Sequence, residues 1–418
     1  MGAAASLPVT SKFSTAGEND SIKYGTSSMQ GWREQMEDAH AAILDLDGSQ
    51  STSFFGVYDG HGGAEVALYC AKQFHVELVN DPDYVNNPAA AMEHVFFRVD
   101  EQLHQSDEWR VLANPRGYSY LMRCLRTSLC AAWPLKARYI GPQDEGSTAC
   151  VAIIRGNQII VGNVGDSRCV LSRNGQAINL SIDHKPNHRN ERARIRAAGG
   201  QVRRDGFAKI QEGRVVATEW GVYRVDGKLA MSRAIGIVLS GFLFAGCTQS
   251  VSLLMGILAA YISGDFQYKQ NKTLAPAEQM VTCNPSIRAV NITDDTDFLL
   301  IASDGIWDVM TSQKAVEIVH TCLQNGMTDP RAICGTLQDL CLRSEDNSTV
   351  ILVGFKDGAR IGSPPPPPGL EPEDAPSDIA DTSGEARAGS NNEIVEAKAQ
   401  PSLFFIAESS KQGFSEQE

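Results

Sequence analysis

Phe54-Phe55-Gly56-Val57-Tyr58-Asp59-Gly60-His61-Gly62-Gly63 is an apolar run that stops at a carboxylate and turns at once into glycine and histidine. The run reads as a buried strand, which puts Asp59 where the strand leaves its sheet. Glycines on both sides let the backbone approach something small. A carboxylate beside a bare backbone carbonyl suits a hard cation that takes oxygen ligands. The same residue types also make an ordinary tight turn. On its own, the stretch leaves the metal site and the turn side by side.

The pattern recurs. Asp297-Phe298-Leu299-Leu300-Ile301-Ala302-Ser303 is a second apolar run, closed by Asp304-Gly305, and Glu345-Asp346-Asn347 precedes a strand-like stretch. Carboxylates at strand ends far apart in sequence can meet at one edge of a sheet. Asp59, Asp304 and Asp346 together would hold one or two divalent ions. Oxygen donors without a Cys or His cluster favour Mg²⁺ or Mn²⁺ over Zn²⁺. β-Branched and apolar runs predict strands at 53–58, 148–154, 157–164, 168–173, 297–303 and 348–356. Helical spacing predicts helices at 63–79, 188–198, 312–324 and 329–343, with Ser312 capping the third.

A chain of 418 residues can bury a large core, and its net charge of -13 argues against a nucleic-acid partner. The ten cysteines show no CxxC spacing. Most lie in apolar runs and read as buried free thiols of an intracellular protein of the cytosol and/or nucleus. No secretory signal precedes the domain. Residues 1–21 are expected to be flexible. Within them, Met1-Gly2-Ala3-Ala4-Ala5-Ser6 fits both an N-myristoylation pattern and a plain small-residue start. One acyl chain on Gly2 would give only weak, reversible membrane contact. Residues 357–418 carry twelve acids, four bases and the proline run Pro364 to Pro368. They read as a disordered acidic tail, whose one apolar cluster is Ser402-Leu403-Phe404-Phe405-Ile406.

Further motifs extend the series. In chain order stand Arg33-Glu34-Gln35-Met36-Glu37-Asp38, Asp59-Gly60-His61-Gly62-Gly63, Gly146-Ser147-Thr148-Ala149 and Val164-Gly165-Asp166-Ser167-Arg168. Asp183-His184-Lys185-Pro186, Leu229-Ala230-Met231-Ser232-Arg233-Ala234-Ile235-Gly236, Ser303-Asp304-Gly305-Ile306-Trp307-Asp308 and Asp346-Asn347 follow. The set resembles the type 2C protein phosphatases, metal-dependent serine/threonine phosphatases, over roughly residues 22–356. The resemblance implies an α+β fold in which two antiparallel β-sheets pack face to face and are flanked by helices, an α-β-β-α sandwich. It implies a monomer acting on phosphoprotein substrates.

It also implies a site. Asp59 would bridge two Mg²⁺ or Mn²⁺ ions with the Gly60 carbonyl beside it, while Asp304 and Asp346 together would bind one of the ions directly. Glu37 and Asp38 would act through metal-bound waters, and Asp166 and Asp308 would serve a weaker third ion. The resemblance implies that a metal-activated hydroxide would attack phosphorus in line, with no phosphoenzyme. Arg33 matches the phosphate-binding arginine, whose planar fork can hold two oxygens. Its competing reading is a salt bridge to Glu34 or Glu37. His61 matches the general acid that protonates the leaving alkoxide. Its competing reading is a ring that only orients a metal-bound water.

One segment departs from the family. The pattern Ser-Arg-Ala-Ile-Gly continues there directly into Asp-Phe, whereas here the uncharged, apolar stretch 237–264 separates Gly236 from Asp265-Phe266. By length and charge it is a transmembrane candidate. A single span would part Asp59 from Asp304 and Asp346. Two half-length crossings of about 21 Å each fall short of a hydrocarbon core of about 30 Å. A spanning form and an active form therefore exclude each other. Two further accounts are a packed insert and a retained intron, since the stretch keeps the reading frame. The alternative function is a catalytically impaired isoform that binds phosphoproteins or membranes. The stretch 216–225 also looks longer than the family needs, and 113–143 reads as a surface excursion.

Overall fold

The computed structural model describes residues 4–49, 51–105, 109–113, 145–205, 208–211, 214–217, 221–236, 268–269 and 271–356. Gly2, the stretch 237–264, most of 113–143 and the tail 357–418 lie outside the described residues.

Two antiparallel sheets carry the fold. The first runs β1 (Ala4–Glu18), β2 (Ile22–Arg33), β18 (Ser348–Phe355), β17 (Thr296–Ala302), β9 (Arg168–Arg173) and β10 (Gln176–Asn179). The second runs β16 (Ser286–Asn291), β8 (Gln158–Val164), β7 (Ala149–Arg155), β4 (Thr52–Tyr58) and β3 (Ala39–Ile43). A small third sheet orders β15 (Ile235–Gly236), β6 (Gly146–Ser147) and β5 (Gly60–His61). Two short pairs, β11 (Val202–Arg204) with β14 (Tyr223–Val225) and β12 (Ala208–Gln211) with β13 (Arg214–Ala217), lie between β10 and β15 in the chain. The helices are α1 (Glu65–Val79), α2 (Pro88–Gln105), α3 (Trp109–Ala113), α4 (Arg189–Ala197), α5 (Asp304–Trp307), α6 (Ser312–Gln324) and α7 (Pro330–Cys341).

The layers follow from the two-residue period of the strands. On β4, Phe55 and Val57 face the other sheet, packing with Leu171, Leu299, Ile301, Ile351 and Val353. Phe54 and Tyr58 face the opposite way, onto Phe74 of α1 and Phe96 of α2. On β17, Leu299 and Ile301 point inward while Phe298 and Leu300 meet Val319 of α6 and Ile333 of α7. Strands buried on both faces read as unbroken apolar runs, which is why the central strands were legible. Each such fully buried side chain contributes about 1.5–3 kcal/mol. The result is the expected α-β-β-α sandwich.

Two expectations change. Residues up to 21 were expected to be flexible, yet Ala4–Glu18 form β1, paired along β2. β1 has no apolar run, because it is an edge strand with Leu7 and Phe13 exposed. Cross-strand polar pairs hold it instead, with Ser14 Oγ donating to Ser27 Oγ at 3.0 Å and the Thr15 and Thr26 hydroxyls 2.8 Å apart. Lys12 adds an ion pair to Asp339 of α7 at 2.6 Å. Ser312 does not cap α6. Thr311 does, accepting from Lys314 N. Ser312 Oγ instead donates to Asn179 Oδ1 at 2.7 Å and accepts from Arg168 at 3.0 Å. α2 lies outside the four expected helices, although Ala91, Met92, Val95, Phe96 and Val99 carry helical spacing and are buried.

Asp100 of α2 fixes both ends of the departing segment. Its Oδ1 accepts from Gly236 N at 2.8 Å and from Lys269 Nζ at 2.6 Å. Lys269 also donates to Ala234 O at 2.7 Å, and Tyr268 is buried with Met231, Ala234 and Val281. Gly236 and Lys269, on either side of the stretch, are thus held by one carboxylate, whereas the two ends of a single bilayer crossing would lie on opposite sides of the membrane. Among the described residues, no helix is long and apolar enough to cross a membrane.

Candidate active site

Asp59 stands at the end of β4, where its main chain is bound to the next motif. Asp59 N donates to Thr148 Oγ1 at 3.1 Å, and Asp59 O accepts from Thr148 N at 2.8 Å and from Ser147 Oγ at 3.2 Å. Gly60 follows because no side chain fits. A Cβ there would lie 2.5 Å from Glu37 O, and Gly60 N donates to that carbonyl at 3.2 Å. The Asp-Gly pair of the second run has the same cause, since a Cβ on Gly305 would lie 2.0 Å from Asn347 O. That close approach holds Asp304, at the start of α5, beside Asp346.

Neighbouring polar groups lock the loops together. Asn347 Oδ1 accepts from Glu37 N at 2.8 Å, and its amide donates to Gln30 O at 2.7 Å and Gln35 O at 3.1 Å. Ser303 Oγ donates to Asp38 Oδ2 at 2.8 Å and accepts from Thr349 N at 3.0 Å. Asn347 and Ser303 were not among the predicted site residues. Their position beside Asp346 and Asp304 in the quoted motifs was the available signal.

The acidic groups converge. Burial pushes Asp59 well above the usual carboxylate range, and the charges of Asp304, Asp38, Asp346 and Asp166 push it further. Asp304 is raised in the same way, by burial and then by Asp166, Asp308 and Asp346. Burial takes Asp38 up to about 7 even though Ser303 donates to it. Asp308 is raised by burial against the pull of Lys185, and Glu37 by burial against Arg33. Asp38 Oδ1 and Asp166 Oδ1 are buried with no hydrogen-bond donor. Crowded, partly orphaned carboxylate oxygens form a donor set that fits hard divalent cations.

Arg33 and His61 border this cluster. Arg33 donates to Asp346 Oδ2 at 2.6 Å rather than pairing with Glu34 or Glu37. Burial works against its charge, but Asp346, Asp59 and Asp304 outweigh that cost. His61 sits on β5, with both ring nitrogens buried and without hydrogen-bond partners. Burial pushes its imidazole down to about 4, against the pull of Asp166. All ten predicted site residues thus lie at one rim of the sandwich. A separate group, Asp81, Asp83 and His94, also brings ligand atoms within 4.8 Å of one another. There Arg98 already neutralises Asp81, at 2.5 Å.

A sequence profile of the family described as Protein phosphatase 2C matches residues 22–240 and 263–350. The chain belongs to the protein phosphatase 2C family. The match breaks over 241–262, within the departing apolar stretch, and begins after β1. Among protein phosphatase 2C relatives, the chain is 47% identical over 392 residues to probable protein phosphatase 2C 20 of Oryza sativa subsp. japonica, covering 93% of this chain and 70% of the relative. It is 49% identical to probable protein phosphatase 2C 16 from the same plant, covering 85% of this chain and 63% of that relative. A third rice relative, probable protein phosphatase 2C 21, is also 49% identical and is covered over 90% of its length. The fold resembles a crystal structure of a phosphatase from a pathogenic strain of Toxoplasma gondii, with a TM-score of 0.56 and 22% identity over 83% of this chain and 96% of that one.

Proposed function

We propose that this chain hydrolyses phosphoserine and phosphothreonine in proteins, using two Mg²⁺ or Mn²⁺ ions held by Asp59, the Gly60 carbonyl, Asp304 and Asp346. The observation that carries the proposal is the crowding of Asp59 and Asp304 with Asp38, Asp346 and Asp166, with two buried oxygens lacking donors. Divalent ions bound here supply charge neutralisation for the phosphoryl group and a water acidic enough to ionise near neutral pH.

The chain's own residues do the remaining work. Arg33, already oriented by Asp346, presents its free N–H groups to phosphate oxygens, binding and aligning the group for in-line attack. Glu37 and Asp38, fixed through Asn347 and Ser303, accept hydrogen bonds from water around the ions. Asp166 and Asp308 take a weaker third ion. His61 handles the proton for the leaving alkoxide. With its imidazole at about 4, the ring is neutral at pH 7, so the acid role requires the negative charge of a phosphate group bound beside it to favour the protonated ring.

The protein is proposed to work as an intracellular monomer. The buried free thiols of Cys70, Cys150, Cys169, Cys283, Cys322, Cys334 and Cys341 suit a reducing compartment. The tie of Gly236 and Lys269 to Asp100 favours activity with the inserted stretch present over the impaired-isoform reading. Hydrolysis of p-nitrophenyl phosphate by the full chain with Mn²⁺, its loss on chelation, and its loss in Asp59→Asn are expected. Turnover that survives chelation of divalent ions, or undiminished turnover in Asp59→Asn, would overturn the proposal.

A further inference from the structure

The motif Asp183-His184-Lys185-Pro186 has no part in the chemistry so far assigned to the rim, yet many bonds hold it in place. His184 N donates to Gly165 O at 2.9 Å, and Gly165 N donates back to His184 Nδ1 at 3.1 Å. His184 Nε2 lies 2.9 Å from Ser286 Oγ, and His184 O accepts from both Ser232 N and Ser232 Oγ. Arg168 grips Asp183 through two nitrogens, at 2.9 and 2.8 Å. These bonds clamp the residue before Lys185 to the residue before Asp166. The backbone at Lys185 is therefore held beside that at Asp166, and only the lysine stem remains to be placed.

The ammonium so placed lies among the acids. Lys185 Nζ is 2.5 Å from Asp166 Oδ2 and 3.8 Å from Asp308 Oδ1, and it also feels the charge of Asp304. Asp166 is 1% exposed. Its other oxygen, Oδ1, is buried with no donor, so the lysine satisfies only half of the carboxylate. The charge of Asp166 also acts on Asp59, Asp304 and Asp308, so an ion bound among these carboxylates would share them with the ammonium.

We propose that Lys185 is a built-in cation that competes with a divalent ion for Asp166 and Asp308, and thereby sets how weakly that ion binds. The inference rests on the two-metal reading of the rim. It gives the Asp183 to Pro186 motif a physical role. The lysine keeps the outer acids neutralised while the ion is absent and yields to it at high concentration. Like charges a few ångströms apart repel even at the screened dielectric of a protein surface. Removing the ammonium is expected to tighten the weakest ion by about tenfold or more, equivalent to about 1.4 kcal/mol.

The test is a Mn²⁺ titration of the full chain, with free Mn²⁺ read by its electron paramagnetic resonance signal. Lys185→Met should tighten the weakest class of bound ion and leave the tighter classes in place. Adding Asp308→Asn should abolish that gain. Lys185→Arg keeps the charge and serves where the methionine variant does not fold. It should leave the weak class as it is or loosen it. Tight classes intact with an unchanged or looser weak class in Lys185→Met would overturn the inference alone, as would tightening in Lys185→Arg. No bound Mn²⁺ in the unmodified protein would overturn both this inference and the two-metal reading.

Discussion

Asp100→Asn isolates the tie that closes the fold around the departing segment. The carboxylate side chain is 12% exposed and its partner Lys269 is 6% exposed. Burial works against the Asp100 charge, but Lys269 and His104 outweigh it and hold the group at about 2, against an ordinary 3.8. That depression corresponds to about 2 kcal/mol of folding free energy. A depressed carboxylate contributes fully above its unfolded value, so the whole effect is present at pH 7. It fades as pH falls from about 4 through about 2, with about half remaining at pH 3. Asparagine still accepts from Gly236 N but leaves the Lys269 ammonium buried without a counter-charge. The total expected loss at pH 7 is therefore about 3–5 kcal/mol. Urea unfolding followed by tryptophan fluorescence reads it directly. The gap between the two proteins should shrink at pH 3, and Lys269→Met on the asparagine background should recover much of the loss. A variant within about 0.5 kcal/mol of the unmodified protein, or a gap equal at pH 7 and pH 3, would mean that the Asp100–Lys269 pair does not hold these ends together.

Other outcomes are expected. Asp59→Asn relieves repulsion among the rim carboxylates, so chelator-treated protein should melt a few degrees higher and lose its stabilisation by Mn²⁺. A lower melting point without metal would count against crowding. Arg33→Lys keeps the charge but not the fork and should lower kcat/KM by about tenfold or more, whereas a change under twofold would remove the phosphate role. His61→Gln should slow poor leaving groups far more than good ones, and equal losses would reduce the ring to orienting water. Joining Gly236 to Asp265 should preserve Mn²⁺-dependent hydrolysis and reduce adhesion to lipid vesicles. An inactive product would mean that the stretch itself supports the site.

The central strands and the site motifs were open to sequence reading for a physical reason. β4, β17 and β18 are buried on both faces, so each is a continuous apolar run, and the acids mark where each run meets the rim. Gly60 and Gly305 stand out because backbone passes within van der Waals distance of where a Cβ would sit. β1 was missed because an edge strand needs no apolar pattern and gains its order from β2. Asp100 and Lys269 could not be paired from sequence. They stand 169 residues apart, and only the fold brings α2 against the chain on both sides of the apolar stretch. Lys185 was visible as part of a motif, but its contact with Asp166 depends on the His184 and Gly165 main chains meeting.

β18 is among the last described segments to be made, yet it lies between β2 and β17 in the first sheet. As the chain emerges from the ribosome, the β1–β2 pair must wait for residues 348–355 before it has a neighbour on its inner side. A message that stops early therefore yields no smaller working enzyme. It leaves β2 with an unpaired inner edge, a template for pairing with another chain.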